Sequence, residues 1–309
     1  MLINRRLFLR SSARALVAAS LFSAVPAQAR NNKKVRASDI TVEDVNGLAV
    51  FGGAGCNVVG LPGPEGALLV DGGRAINSSM LLKIVFGALQ TRRVHTLINT
   101  HWHPEQVGCN EAVGDAGGSI IAHEVTRLFL GRNNRSALYG GVIEALPENA
   151  RPTKITYAAG SLEFASERVD YRYLPAAHTN GDLFVHFPKH NVIVAGGPVS
   201  AVRWPVMDYL NGAFMHGFVR SYEILAEVAK PDTVIVPADG PLLTGADIVR
   251  HKDMYWKLFK QFFVLFNKGY GPQDVIAEQP LRDYEAQFGD PAQFLEFAYR
   301  SVQLATIPH

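Results

Sequence analysis

Thr100-His101-Trp102-His103-Pro104-Glu105-Gln106-Val107-Gly108-Cys109-Asn110 follows directly on Val94–Thr100, a short apolar run that reads as a buried strand. Two histidines at i and i+2 on an extended strand end point to the same side, so both imidazoles reach one ion. Strand ends of this kind are where open sheets collect ligands. A third histidine comes much later, in Pro175-Ala176-Ala177-His178-Thr179-Asn180-Gly181-Asp182, again just after a strand-like run. Three neutral imidazoles with one open position make a catalytic type of zinc site, which lowers the pKa of bound water to about 7. A lone His-x-His is a weak signal, and the third strand-end histidine strengthens it.

Working outward, short β-branched runs alternate with Gly and Pro: Gly47–Phe51, Cys56–Gly60 and Gly66–Asp71 read as antiparallel strands. Residues 75–90 have helical spacing, Ser119–Ala122 is strand-like and a helix starts near His123. Phe129–Pro147 has no clean period and reads as a loop with some helix. Strands follow at Lys154–Tyr157, Val169–Leu174, Leu183–Phe187 and Asn191–Ala195, then a helix over Phe214–Val228 and a strand at Thr233–Pro237. Ala246–Val302 is helical, with Tyr255, Trp256, Phe259, Phe262 and Phe263 as a core stripe. Two similar halves of this kind argue for two sheets packed face to face with helices outside.

The chain has 309 residues, 48% of them hydrophobic and 19% charged, which describes a globular protein. Residues 1–29 read as a twin-arginine signal peptide. Arg5-Arg6 and Phe8-Leu9 precede the apolar run Ala15-Leu16-Val17-Ala18-Ala19-Ser20-Leu21-Phe22, and Ala27-Gln28-Ala29 ends it. That run is short for a membrane span, so no stable span is expected after cleavage. Removing Arg5, Arg6, Arg10 and Arg14 turns the net charge of +2 into −2. With no basic patch elsewhere, nucleic acid is excluded as a partner. Residues 30–41 read as a linker, 42–250 as the metal-site domain and 251–309 as a helical extension packed on it. The expected partners are a small-molecule substrate and, during export to the periplasm, the twin-arginine translocase.

The ordered set Leu68-Leu69-Val70-Asp71-Gly72-Gly73, Leu97–His103, His178–Asp182, Val194-Ala195-Gly196-Gly197 and Val236-Pro237-Ala238-Asp239-Gly240-Pro241 resembles the motifs of the metallo-β-lactamase superfamily. Within it, the chain is similar to periplasmic quinoprotein-relay-type zinc hydrolases and to the third subclass of metallo-β-lactamases. The resemblance implies an α/β fold, a four-layer αββα sandwich with a C-terminal helical extension. It also implies a metal-dependent hydrolase using metal-bound hydroxide, with His101, His103 and His178 holding Zn2+. Asp71 matches a buried aspartate that braces the metal loop.

The second metal position departs from the family pattern. Glu105 stands where Asp is usual, Gln106 where His is, Gly197 where a bridging Asp is, and Asp239 where a late His is. One ion is therefore favoured, and a second would have to use Glu105 and Asp239. With one ion, Glu105 is a catalytic candidate that orients or deprotonates water, or else fixes an imidazole tautomer. Asp239 is catalytic or forms a turn before Gly240-Pro241. The altered positions also motivate a different reading, a non-catalytic metal-binding or accessory protein of a periplasmic redox or cofactor system. Trp102, Trp204, Tyr209 and Phe214 are candidates to line an apolar pocket, and His216 to overhang it. Cys56 and Cys109, both in Gly-Cys-Asn triplets, leave three readings: a disulfide, two buried free thiols, or a thiolate ligand.

Overall fold

The computed structural model describes residues 34–136 and 138–306. The expected signal peptide, 1–29, lies outside the described residues. The segment expected as a linker contains a 3-10 turn at Ala37–Asp39, and the backbone N–H of Val35 donates to Asn77 Oδ1 at 3.0 Å.

Among the described residues, fifteen strands form the sheets, β1 (Thr41–Val45), β2 (Leu48–Gly52), β3 (Val58–Leu61), β4 (Ala67–Val70), β5 (Val94–Ile98), β6 (Ser119–His123), β7 (Asn134–Ser136), β8 (Gly141–Ile143), β9 (Lys154–Thr156), β10 (Ala159–Phe164), β11 (Glu167–Leu174), β12 (Asp182–Phe187), β13 (Val192–Gly196), β14 (Val234–Pro237) and β15 (Leu243–Thr244). A seven-stranded sheet runs β1-β2-β3-β4-β5-β6-β9, and a six-stranded sheet runs β10-β11-β12-β13-β14-β15. Residues 129–147, expected as loop with some helix, instead carry the antiparallel hairpin β7-β8.

The period-2 alternation of each strand separates the layers. In β4 and β5, Leu68, Val70 and Ile98 face Val169, Val185, Val194 and Val236 of the second sheet. Their neighbours Leu69 and Leu97 face the other way, onto Leu81 and Val85 of α1 (Ser78–Ala88) and Val113 of α2 (Asn110–Asp115). The short helix α3 (Glu124–Leu130) starts at His123. On the far side of the second sheet, Ile193 and Ile235 meet α4 (Met215–Val228) and α5 (Gly245–Asn267). Helix, sheet, sheet, helix is the four-layer αββα sandwich.

The C-terminal helices α6 (Pro272–Ala277), α7 (Glu285–Phe288) and α8 (Ala292–Thr306) extend the outer layer. Phe288, Phe294, Leu295 and Tyr299 join the same buried cluster as Phe218, Tyr255, Phe259 and Phe262, so most of the expected aromatic stripe is core, while Trp256 is partly buried and Phe263 is exposed. No helix among the described residues is long and apolar enough to cross a membrane.

β4, β5, β11, β13 and β14 all end on one rim. There Asn57 ties the sheets together, its backbone N–H donating to Ala238 O at 2.8 Å and its amide to Pro237 O at 3.1 Å. The loops leaving this rim carry the chemistry.

Candidate metal centre

His101 and His103 leave the end of β5, and His178 follows β11. One ring nitrogen from each of the three lies within 4.8 Å of the others, and all three residues are buried. Each ring's other nitrogen is taken by the protein. Thr100 Oγ1 sits 3.0 Å from His101 Nδ1, Asp208 Oδ2 sits 3.2 Å from His103 Nε2, and the Val206 carbonyl accepts from His178 Nδ1. This leaves His101 Nε2, His103 Nδ1 and His178 Nε2 to converge, and the last two are 2.8 Å apart. Outer partners of this type fix the tautomer and orientation of a metal-binding imidazole. Burial and the neighbouring imidazoles hold His101 and His178 well below the usual histidine range, so both stay neutral, as ligands must. A donor set of three imidazole nitrogens fits a borderline divalent cation.

The scaffold behind the rings is rigid. Asp71, expected as a brace, has φ 63° and accepts from both the backbone N–H and Oγ1 of Thr100, each at 2.8 Å. Asp182 does the same for the second loop, accepting from the N–H groups of His178 and Thr179, both at 2.7 Å. Burial raises both carboxyls to about 7. The Leu183 N–H donates to Thr100 O at 2.7 Å, which joins the two histidine loops.

A cavity of about 430 Å³ opens over the three rings, lined also by Glu105, Gln106, Tyr139, Arg203 and Asp239. Glu105 is ion-paired with Arg74 and accepts from the Tyr139 hydroxyl. Asp239 is ion-paired with Arg203 and accepts from Ser200 Oγ at 2.9 Å. Among the described residues, the groups close enough to share one ion are the three histidines, without either carboxylate. Gln106 is buried, and its Oε1 has no hydrogen-bond partner.

At Gly197 a Cβ would lie 2.2 Å from His178 Cδ2. The ring of the third histidine fills the space a side chain would need there.

Metallo-β-lactamase superfamily sequences, as a family model, match residues 51–240. This chain belongs to that superfamily. Its fold is similar to that of a metallo-β-lactamase from Pontibacter korlensis, at 18% identity and TM-score 0.54, over 70% of this chain and 93% of that one. It is also similar to a metallo-β-lactamase from Erythrobacter litoralis, at 16% identity and TM-score 0.54, over 73% and 100%. The stereoselective inverting sec-alkylsulfatase Pisa1 from Pseudomonas sp. aligns over 93% of this chain and 55% of its own length, at 16% identity and TM-score 0.63. Comparison with curated proteins finds no match.

Several groups at the metallo-β-lactamase-type site escaped sequence reasoning. Asp208 and Arg203 come from the long loop after β13, and Tyr139 from the β7-β8 hairpin. Arg74 directly follows the Asp71-Gly72-Gly73 turn, which was the one available signal for it. Conversely, Trp102, Trp204, Tyr209, Phe214 and His216 are not among the residues lining the metal cavity. Trp102 stacks on Phe129 at 4.8 Å, Trp204 on Phe294 at 5.5 Å, and His216 packs 5.7 Å from Phe259. The two cysteines are free and buried, and Ser78 Oγ lies 3.5 Å from Cys109 Sγ. They pack as small apolar side chains in the cluster beneath α1, with no disulfide between them.

Proposed function

We propose that this chain is a zinc-dependent hydrolase of a small molecule, exported to the periplasm through the twin-arginine translocase. The observation that carries the metal reading is the convergence of three imidazole nitrogens whose ring partners are all engaged elsewhere. Three converging histidine nitrogens suit zinc, which when bound would acidify water and polarise a substrate oxygen.

The remaining work falls to the chain's own side chains. Glu105, fixed by Arg74 and Tyr139 at the cavity wall, orients the attacking water and accepts its proton. Arg203 lines the same cavity and offers its guanidinium to negative charge developing on the substrate. Asp239 and Ser200 are positioning residues, holding Arg203 in place. A cavity of about 430 Å³ suits a small molecule, and the structural relatives' names describe hydrolysis of lactams and of alkyl sulfates. Export rests on Arg5-Arg6, the apolar run behind them and Ala27-Gln28-Ala29.

The test is a hydrolase screen over ester, lactam, sulfate-ester and phosphate-ester classes, run with elemental analysis on wild type, His103→Ala and Glu105→Gln. The expected result is turnover by wild type that His103→Ala loses together with its metal. Glu105→Gln should keep its metal while kcat falls by about 10²–10⁴. Stoichiometric metal with no turnover above His103→Ala on any class would overturn the hydrolase and leave the accessory metal-binding reading.

A further inference from the structure

Glu105 and Asp239 line the metal cavity and are the two carboxylates that a second ion, if there were one, would have to use. Each is already held by an arginine and one hydroxyl, from Tyr139 in one case and Ser200 in the other. The Glu105 and Arg74 side chains are both only 17% exposed, so this pair is largely shielded from solvent. A second dication would have to expel a guanidinium from each carboxylate and take its place against like charge. For the shielded Glu105–Arg74 pair this leaves a largely buried guanidinium uncompensated, whereas Arg203 is 40% exposed and its displacement costs less.

The third contributor is missing for steric reasons. A Cβ at position 197 would lie 2.2 Å from His178 Cδ2, so a side chain there displaces the third histidine. The Gln106 amide oxygen also lines the cavity, buried and without a partner. One neutral oxygen does not hold a dication.

We propose that this is a one-ion centre in which Arg74 and Arg203 occupy, as fixed guanidinium charges, the coordination that Glu105 and Asp239 would give a second ion. The cavity then carries one exchangeable cation beside the guanidinium charges of Arg74 and Arg203. The proposal rests on the three histidines taking a metal, and stoichiometry separates its failure from failure of the hydrolase reading.

The experiment titrates chelator-stripped full-length protein with Zn2+ and checks the retained metal by elemental analysis after desalting. Wild type is expected to take one equivalent, and Glu105→Gln with Asp239→Asn is expected to leave that number unchanged. Arg74→Met with Arg203→Met is expected to take two, the second lost again when the carboxylate substitutions are added. Two equivalents in wild type, falling to one on the carboxylate substitutions, would overturn the proposal, as would an arginine double variant that stays at one. Should that double variant not fold, the carboxylate variant alone decides between the same two outcomes. A wild type that takes no zinc overturns the metal centre itself, whatever turnover is seen.

Discussion

His178 and Gly197 are in mutual contact, such that any Cβ at position 197 would sit 2.2 Å from the imidazole Cδ2. Reinstalling the aspartate usual in the superfamily therefore does not restore a bridging ligand here. It pushes the third histidine away from the other two. Gly197→Asp and Gly197→Ala should both weaken zinc binding, and overpacking of this kind costs about 1–3 kcal/mol of fold stability. Competition with a chromogenic chelator reads the affinity, and denaturant melts of the metal-free protein read the stability. An aspartate variant that gained metal would show that the ring can yield.

Asp208 is the buried outer partner of His103, and its backbone N–H also donates to His178 O at 3.0 Å. Asn211 Nδ2 donates to both of its oxygens at 3.0 Å, so the carboxylate is held in one orientation. Asp208→Ala should cost roughly 10–100-fold in zinc affinity, the usual loss when such a partner is removed. The loss should be smaller for Asp208→Asn, whose amide oxygen still accepts from His103. Equal affinity in wild type and the alanine variant would remove Asp208 from the centre.

The difference between the ligands and their partners also explains what the chain revealed before folding. His101, His103 and His178 stand at the ends of apolar runs whose periodicity marks strands, so their position and their convergence were both legible. Asp208 and Arg203 lie in a loop with no periodicity, and only the tertiary path of Gly197–Phe214 brings them back over the rings. Tyr139 was hidden for a related reason, since β7 and β8 are three-residue strands in a Gly- and Asn-rich stretch. The layers were read well wherever strands are buried on both faces, as with β3, β4 and β13. β1 and β10 are largely exposed and rich in polar residues, and neither was seen.

Removal of the metal should lower the melting temperature. A ligand that binds only the folded state stabilises it by about 2.7 kcal/mol at one hundred times its Kd, roughly 5–11 °C for a domain of this size. His101→Ala should abolish the zinc-dependent part of the shift. Protons should begin to compete with the metal for His101 and His178 only below the ordinary histidine range. Burial holds His101 and His178 down, so protons compete for these rings only as the pH falls through their lowered values. Metal retention measured by dialysis at stepped pH checks this, and release of the ion in parallel with an unperturbed imidazole would contradict it.

Cys56 and Cys109 sit in the apolar layer under α1, and burial pushes the Cys109 thiol up to about 11 and Cys56 well above the ordinary range. The thiolate is the reactive form, so both should resist a disulfide-exchange reagent at pH 8 in the folded protein. Denaturation without reductant should release two reactive thiols per chain. The linkage has a definite sign: the folded state holds the Cys109 proton more tightly than the unfolded chain does. Stability is therefore intact below the ordinary thiol range and falls as the pH rises from there towards about 11. Cys109→Ala should flatten that alkaline limb of the denaturation profile. It should also cost stability at neutral pH, because a residue with no exposed surface loses its packing. Absence of reactive thiols in the denatured, unreduced protein would mean that a bridge forms after all.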